Sequence, residues 1–81
     1  MNTLALKGKR IMQGRTQKSL AEALGITEAS YSRKERGLQP FTLSDLQGLI
    51  KELCLSAYEV DAIFFDFQLT KNETTKEVTE Q

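Results

Sequence analysis

Residues 16–37, TQKSLAEALGITEASYSRKERG, decide how this chain is read. Leu20, Ala21 and Leu24 form an apolar stripe of helical period, and Thr16 is placed to cap the helix they define. Gly25 then suits a left-handed turn at the end of that helix. Thr27 caps a second helix running to about Arg36, and Gly37 closes it. On this second helix Ile26 and Tyr31 are the inward anchors, while Glu28, Ala29, Ser32, Arg33 and Arg36 lie on the other side. A helix so polar leaves most of its circumference available to something other than a core.

Outward from this stretch, the pattern stays helical. Leu4, Gly8 and Ile11 fall at helical spacing, with Leu6 and Met12 nearby, so residues 3–13 read as a first helix turned off at Gly14. Gln39-Pro40 is an extended connector, because proline disfavours helix in the residue before it. Thr42 with Asp45 forms a capping-box pattern and opens a fourth helix, with Leu43, Leu46, Leu49, Ile50, Leu53 and Cys54 facing inward. Gly48 inside that helix costs about 1 kcal/mol relative to alanine, so either a close helix contact requires it or the helix is weaker there. Ser56 with Glu59 repeats the capping box and opens a fifth helix through Val60, Ile63 and Phe64. The expected fold is all-α, a compact bundle of about five short helices.

After Phe64 the period changes. Phe65, Phe67 and Leu69 alternate with polar residues, a strand signal that a partner chain could complete; the alternative is an irregular tail folded back on the core. Residues 1–69 therefore read as one domain, and residues 70–81, TKNETTKEVTEQ, as a disordered tail. The chain of 81 residues is near the size where one core gives marginal stability. No window approaches the roughly 18 apolar residues needed to span a membrane, and the N-terminus lacks a secretory pattern, so a cytoplasmic location is expected. The lone Cys54 reads as a small buried hydrophobe.

The formal charge of zero hides an asymmetry. Through Pro40 there are eight cations against three carboxylates, and from Phe41 onward three cations against eight carboxylates. A polyanion responds to the local field, which decays within about 10 Å, so the basic half is the half expected to meet phosphate.

Two helices joined by a short glycine-containing turn make a helix-turn-helix, which lays its second helix in the DNA major groove. The exposed residues suit this: arginine can donate two hydrogen bonds to guanine, and alanine can touch the thymine methyl. The stretch also resembles the helix-turn-helix of the lambda-repressor-like family, the Cro and cI type also called Xre-type regulators. The family pattern is matched by Thr16, Gln17, Leu20, Ala21, Leu24, Gly25, Ile26, Thr27, Ser32, Arg33 and Gly37. The downstream FTLSDLQGLIKELCLSAYEVDAIFF resembles the fourth and fifth helices of short phage-type members from Gram-positive bacteria, so the likeness covers about residues 4–65. Gly8 and Arg15 depart from the pattern.

By position, the resemblance implies that Gln17 contacts phosphate and buttresses the reading helix. It implies backbone contacts for Thr27 and Ser30, and base edges for Glu28, Ala29, Ser32 and Arg33. Arg36 and Gln39 would add further backbone or base contacts. Each has a plainer reading: Thr27 as an N-cap, Glu28 as partner of its own helix dipole, Arg33 and Glu35 as a solvated face. Lys34 reads as a phosphate contact or a core-edge residue. The implied function is a sequence-specific, double-stranded DNA-binding transcriptional regulator, similar to a phage or mobile-element repressor, binding a palindromic operator as a homodimer. No enzyme activity, cofactor or metal is expected, since the chain has no histidine and one cysteine. The rival reading is a protein-interaction module, antitoxin-like or anti-repressor, in which the acidic, Phe-rich C-terminal half binds a regulatory protein.

Overall fold

A computed structural model describes residues 1–65. Over these residues there are five helices and no strand: α1 (Thr3–Met12), α2 (Gln17–Leu24), α3 (Glu28–Glu35), α4 (Leu43–Glu52) and α5 (Ala57–Phe64). Local chemistry sets nearly every boundary. The side chains of Thr16 and Thr27 accept from the backbone N–H of Ser19 and Ser30, at 2.9 and 3.0 Å. Thr42 with Asp45 and Ser56 with Glu59 form complete capping boxes. Asn2 caps α1, and its own N–H reaches the Ile63 carbonyl at 2.6 Å, tying the start of the chain to the end of α5.

The core consists of Leu6, Leu20, Ala21, Tyr31, Leu49, Leu53, Ile63 and Phe64, with Leu24, Ile26, Phe41, Leu46 and Ile50 packed around it. α2 packs on α3 and α4, while α1 packs on α3 and α5. Gly48 is explained by this arrangement. A methyl there would run into Cδ2 of Leu24, so the glycine lets α2 and α4 approach with Leu24 undisturbed. Gly8 has no such reason, since nothing lies within 4 Å of where its Cβ would stand. Gly8→Ala is therefore expected to stabilise the fold by about 1 kcal/mol. Gly48→Ala should be near neutral, because forcing Leu24 off its rotamer costs about 0.5–1.5 kcal/mol and cancels the helical gain. Urea melts of the two variants check this: equal stabilisation would mean that α2 and α4 are not in contact at this point.

The first helix forms where the sequence places it, and the spacing that marks it lies on the outward face: Leu4 is 77% and Ile11 56% exposed, with Gly8 between them. The buried side is Leu6 and Arg10 instead. A hydrophobicity pattern places charge outside; Arg10 is inside because it finds a carboxylate there, as described below. Leu43 is likewise exposed, at the first position of α4 where no neighbouring helix covers it.

Cys54 corrects the sequence reading. It is exposed rather than buried, just past the end of α4, with φ 51 in the left-handed region. The chain turns there through Leu55 N–H to the Ile50 carbonyl at 3.0 Å, a helix-terminating geometry that more often carries glycine. The side chain is thereby swung off the apolar face that the helical period assigned to it. Phe65 is the C-cap of α5 and not a strand residue, while Phe67, Leu69 and the expected tail lie outside the described residues.

Candidate nucleic-acid interface

The turn between α2 and α3 has the predicted form. Gly25 adopts φ 73, ψ 27, and the N–H of Ile26 returns to the Ala21 carbonyl at 3.0 Å. Tyr31 is fully buried, its ring edge-on to Phe41 at 6.0 Å between centroids. The inward side of α3 is otherwise not greasy. It carries Lys34 and Glu35, and both are buried. Burial of Glu35 excludes its plainer reading as part of a solvated face, and Lys34 lies on the core side of α3, paired with Asp45.

Glu35 is the centre of a four-donor network joining α1, α2 and α3. Arg10 donates Nε to Oε2 at 2.8 Å and Nη2 to Oε1 at 3.1 Å, a bidentate pair. Gln17 Nε2 reaches Oε1 at 2.8 Å, and the Tyr31 hydroxyl reaches Oε2 at 2.9 Å. Arg10 uses its remaining Nη1 on the Arg15 carbonyl at 2.8 Å, in the link between α1 and α2. Every donor and acceptor needed to bury this carboxylate is present, and none of the buried side-chain polar atoms described lacks a partner. On the next residue, Lys34 Nζ bonds Asp45 Oδ2, and Oδ2 also accepts the Thr42 backbone N–H at 2.9 Å. Thus the inward side of α3 is tied to α1 through Glu35 and to α4 through Lys34.

These partners set the ionisation. Burial alone would push the Glu35 carboxyl up, but donors from Arg10, Gln17 and Tyr31 hold it below its ordinary range. Asp45 is shifted the same way: burial is outweighed by Lys34 and the Thr42 donors. Tyr31 is pushed up by burial and by its bond to the Glu35 anion, and Arg10 is raised chiefly by its bond to Glu35. Native carboxyls with lowered pKa bind fewer protons than unfolded ones, so stability rises with pH through their titration. Their contribution is full above the unfolded values of about 4 and is lost as pH falls through the folded ones. Tyr31, raised when folded, acts oppositely and contributes less above about pH 10. With no histidine in the chain, thermal melting should plateau between these limits. A transition near pH 6.5 would contradict the assignment.

The outward side of α3 is then fixed by default. Ala29, Arg33 and Arg36 follow one another at i, i+4 and i+7, a single exposed stripe opposite the clamped side. Glu28 and Thr27 are exposed at the helix start, and Ser30 and Ser32 are half-buried on the flanks. The Thr27 oxygen accepts from Ser30 N–H, so it caps the helix whatever else it does. Gln17 is half-buried and donates to Glu35, tying the start of α2 to the end of α3. Gln39, in the connector to α4, comes to Arg33: its Oε1 accepts from Arg33 Nε at 3.2 Å.

Folding also redistributes the charge. Lys9, Arg10, Arg15 and Lys34 of the basic half pair with Glu59, Glu35, Glu52 and Asp45, three of which come from the acidic half. The two halves are stitched together rather than held apart. Lys7, Lys18, Arg33, Arg36 and Lys51 are exposed and make no ion pair among the described residues. Lys18, at the start of α2, was not singled out by the sequence reading. Its signal was available only by subtraction, once the other cations had found partners. Also among the described residues, no group of side chains could hold a metal ion, and no helix is long and apolar enough to cross a membrane.

The helix-turn-helix family model matches residues 6–60, taking in α2, Gly25 and α3 whole with most of α1, all of α4 and the start of α5. No curated protein and no solved structure matches the chain. The matched span covers the clamp, the left-handed turn and the outward stripe alike, and the chain belongs to the helix-turn-helix family of lambda-repressor-like, Xre/cI-type DNA-binding transcription regulators.

Proposed function

We propose that this regulator acts in the cytoplasm as a repressor of the phage or mobile-element type, binding a palindromic operator as a homodimer. The observation that carries the reading is the Ala29–Arg33–Arg36 stripe. It is exposed, rich in donors and backed by a helix side that two buried ion pairs hold in register. Arg33 and Ala29 contact base edges, with Ser32 and Glu28 beside them. Thr27 and Ser30 bind phosphate at the helix start, where the N-terminal dipole favours an anion. Gln17 adds a phosphate contact from its braced position, and Arg36 extends the contact past the helix, with Gln39 beside Arg33. Lys18 joins them as a further phosphate ligand.

One helix-turn-helix spans only a few base pairs, so two copies related by a two-fold axis would read half-sites about 34 Å apart. The test is titration of the chain's own upstream DNA with wild type and Arg33→Ala at several salt concentrations. Arg33→Ala should lose about 1–3 kcal/mol on the operator and relax preference at one base pair. Equal loss on every sequence would move Arg33 to the backbone. Affinity indifferent to salt would reject phosphate binding and favour a protein partner instead. Sedimentation of the full chain and of a form ending at Phe64 tests the homodimer.

A further inference from the structure

Arg33 and Gln39 form a pair with unequal freedom. The connector carrying Gln39 is pinned on both sides. Leu38 N–H bonds the Arg33 carbonyl at 2.9 Å and Gly37 turns at φ 81. Beyond Pro40, Phe41 packs on Tyr31, and Thr42 is locked into its capping box. Arg33, by contrast, is exposed, and its guanidinium has one partner among the described residues, the Gln39 carboxamide oxygen. A guanidinium offers Nε and two Nη groups as donors in a rigid plane. Once Nε is taken, the donors left for a ligand are the two Nη groups at the far end. That end presents two parallel N–H bonds, the geometry that matches O6 and N7 of guanine.

We infer that Gln39 is a specificity-determining positioning residue. Its side-chain oxygen holds Arg33 Nε so that the Nη pair meets one guanine of the half-site end-on. This rests on the reading that α3 enters the major groove. It assigns Gln39 to Arg33 rather than to DNA directly, and it makes a G·C pair the base pair whose recognition depends on both residues. Without the brace Arg33 still supplies charge, but its fork is no longer held in one plane. Discrimination then falls more than affinity.

The experiment uses the full-length protein and a duplex that it selects from a randomised library. Affinity is measured for this duplex and for one with the Arg33-dependent G·C pair changed to A·T. Wild type, Gln39→Ala, Gln39→Glu, Arg33→Ala and the Gln39→Ala, Arg33→Ala double variant are compared by the ratio of the two affinities. Gln39→Ala should reduce that ratio about tenfold with the salt slope unchanged, and should have no effect on it in the Arg33→Ala background. Gln39→Glu keeps an acceptor oxygen at the same reach and should restore the ratio, even as its charge lowers both affinities. The inference is overturned if Gln39→Ala weakens both duplexes equally, flattens the salt slope, acts without Arg33, or does nothing. If wild type enriches no duplex at all, the operator reading itself has failed, and the brace falls with it.

Discussion

Glu35→Ala will cost about 3–5 kcal/mol of folding stability, read as a lowered urea midpoint at unchanged slope. The cost does not measure the strength of the Arg10–Glu35 bond. It reflects what remains behind: a guanidinium 8% exposed with no counter-charge, and Gln17 and Tyr31 donors with no acceptor. A domain of this size has on the order of 5 kcal/mol to lose, so the variant should be substantially unfolded at 37 °C. Removing the whole network should be far milder. Arg10→Met, Gln17→Met, Glu35→Leu and Tyr31→Phe together replace the carboxylate and its donors by apolar groups of similar volume, and such replacements are often neutral or stabilising. If Glu35→Ala alone loses less than about 1 kcal/mol, the carboxylate is not buried among these donors and the clamp on α3 is wrongly described.

That network also marks where the sequence stops being legible. Caps and turns were readable because their partners lie three to six residues away. Thr16, Thr27, Thr42 with Asp45, Ser56 with Glu59, and Gly25 all act on their own turn of chain. The buried ion pairs were not. Arg10 and Glu35 are 25 residues apart and Lys34 and Asp45 are 11 apart, and no local rule couples them. Without the partner in view, the default of placing charge outside wins. That default is what offers a solvated face for Glu35, and it gives no reason to place Arg10 beside Leu6 on the buried side of α1. The error at Cys54 has a different origin. The helical period was extended two residues past the end of α4, and a single left-handed residue sufficed to move the side chain to the surface.

The same distinction explains why the outward stripe was found correctly. Ala29, Arg33 and Arg36 were placed outside by exclusion, once Tyr31 had been placed inside, and Tyr31 is the one inward residue of α3 whose burial needs no distant charge to be guessed. The division into basic and acidic halves was less informative than it looked. Arg15, Lys9 and Lys34 spend their charge on acids of the second half, so the field at α3 is set by the few cations left over. Among the described residues these are Lys7, Lys18, Arg33, Arg36 and Lys51, of which Arg33 lies on α3 and Arg36 at its C-cap.

Tyr31→Ala should therefore cost about 3–5 kcal/mol, the range for truncating a fully buried aromatic side chain. Two separable losses contribute. The ring fills the space between α3 and Phe41, and the hydroxyl is one of four donors holding Glu35 ionised. Tyr31→Phe isolates the second, removing one bond to a carboxylate that keeps Arg10 and Gln17, worth about 1.5–3 kcal/mol. It should also raise the Glu35 carboxyl, so that acid unfolding begins at higher pH than in wild type. Chemical denaturation of both variants at pH 7 and pH 4 measures each part. A Phe variant as damaged as the Ala variant would make the network, rather than the ring, the anchor of α3. An Ala variant as stable as wild type would place Tyr31 outside and reverse the helix. The stripe of Ala29, Arg33 and Arg36 would then turn inward, and DNA affinity of the folded fraction would have to be carried by other residues. With the ring inside, Tyr31→Phe leaves that stripe where it was, and its folded fraction should bind DNA as wild type does.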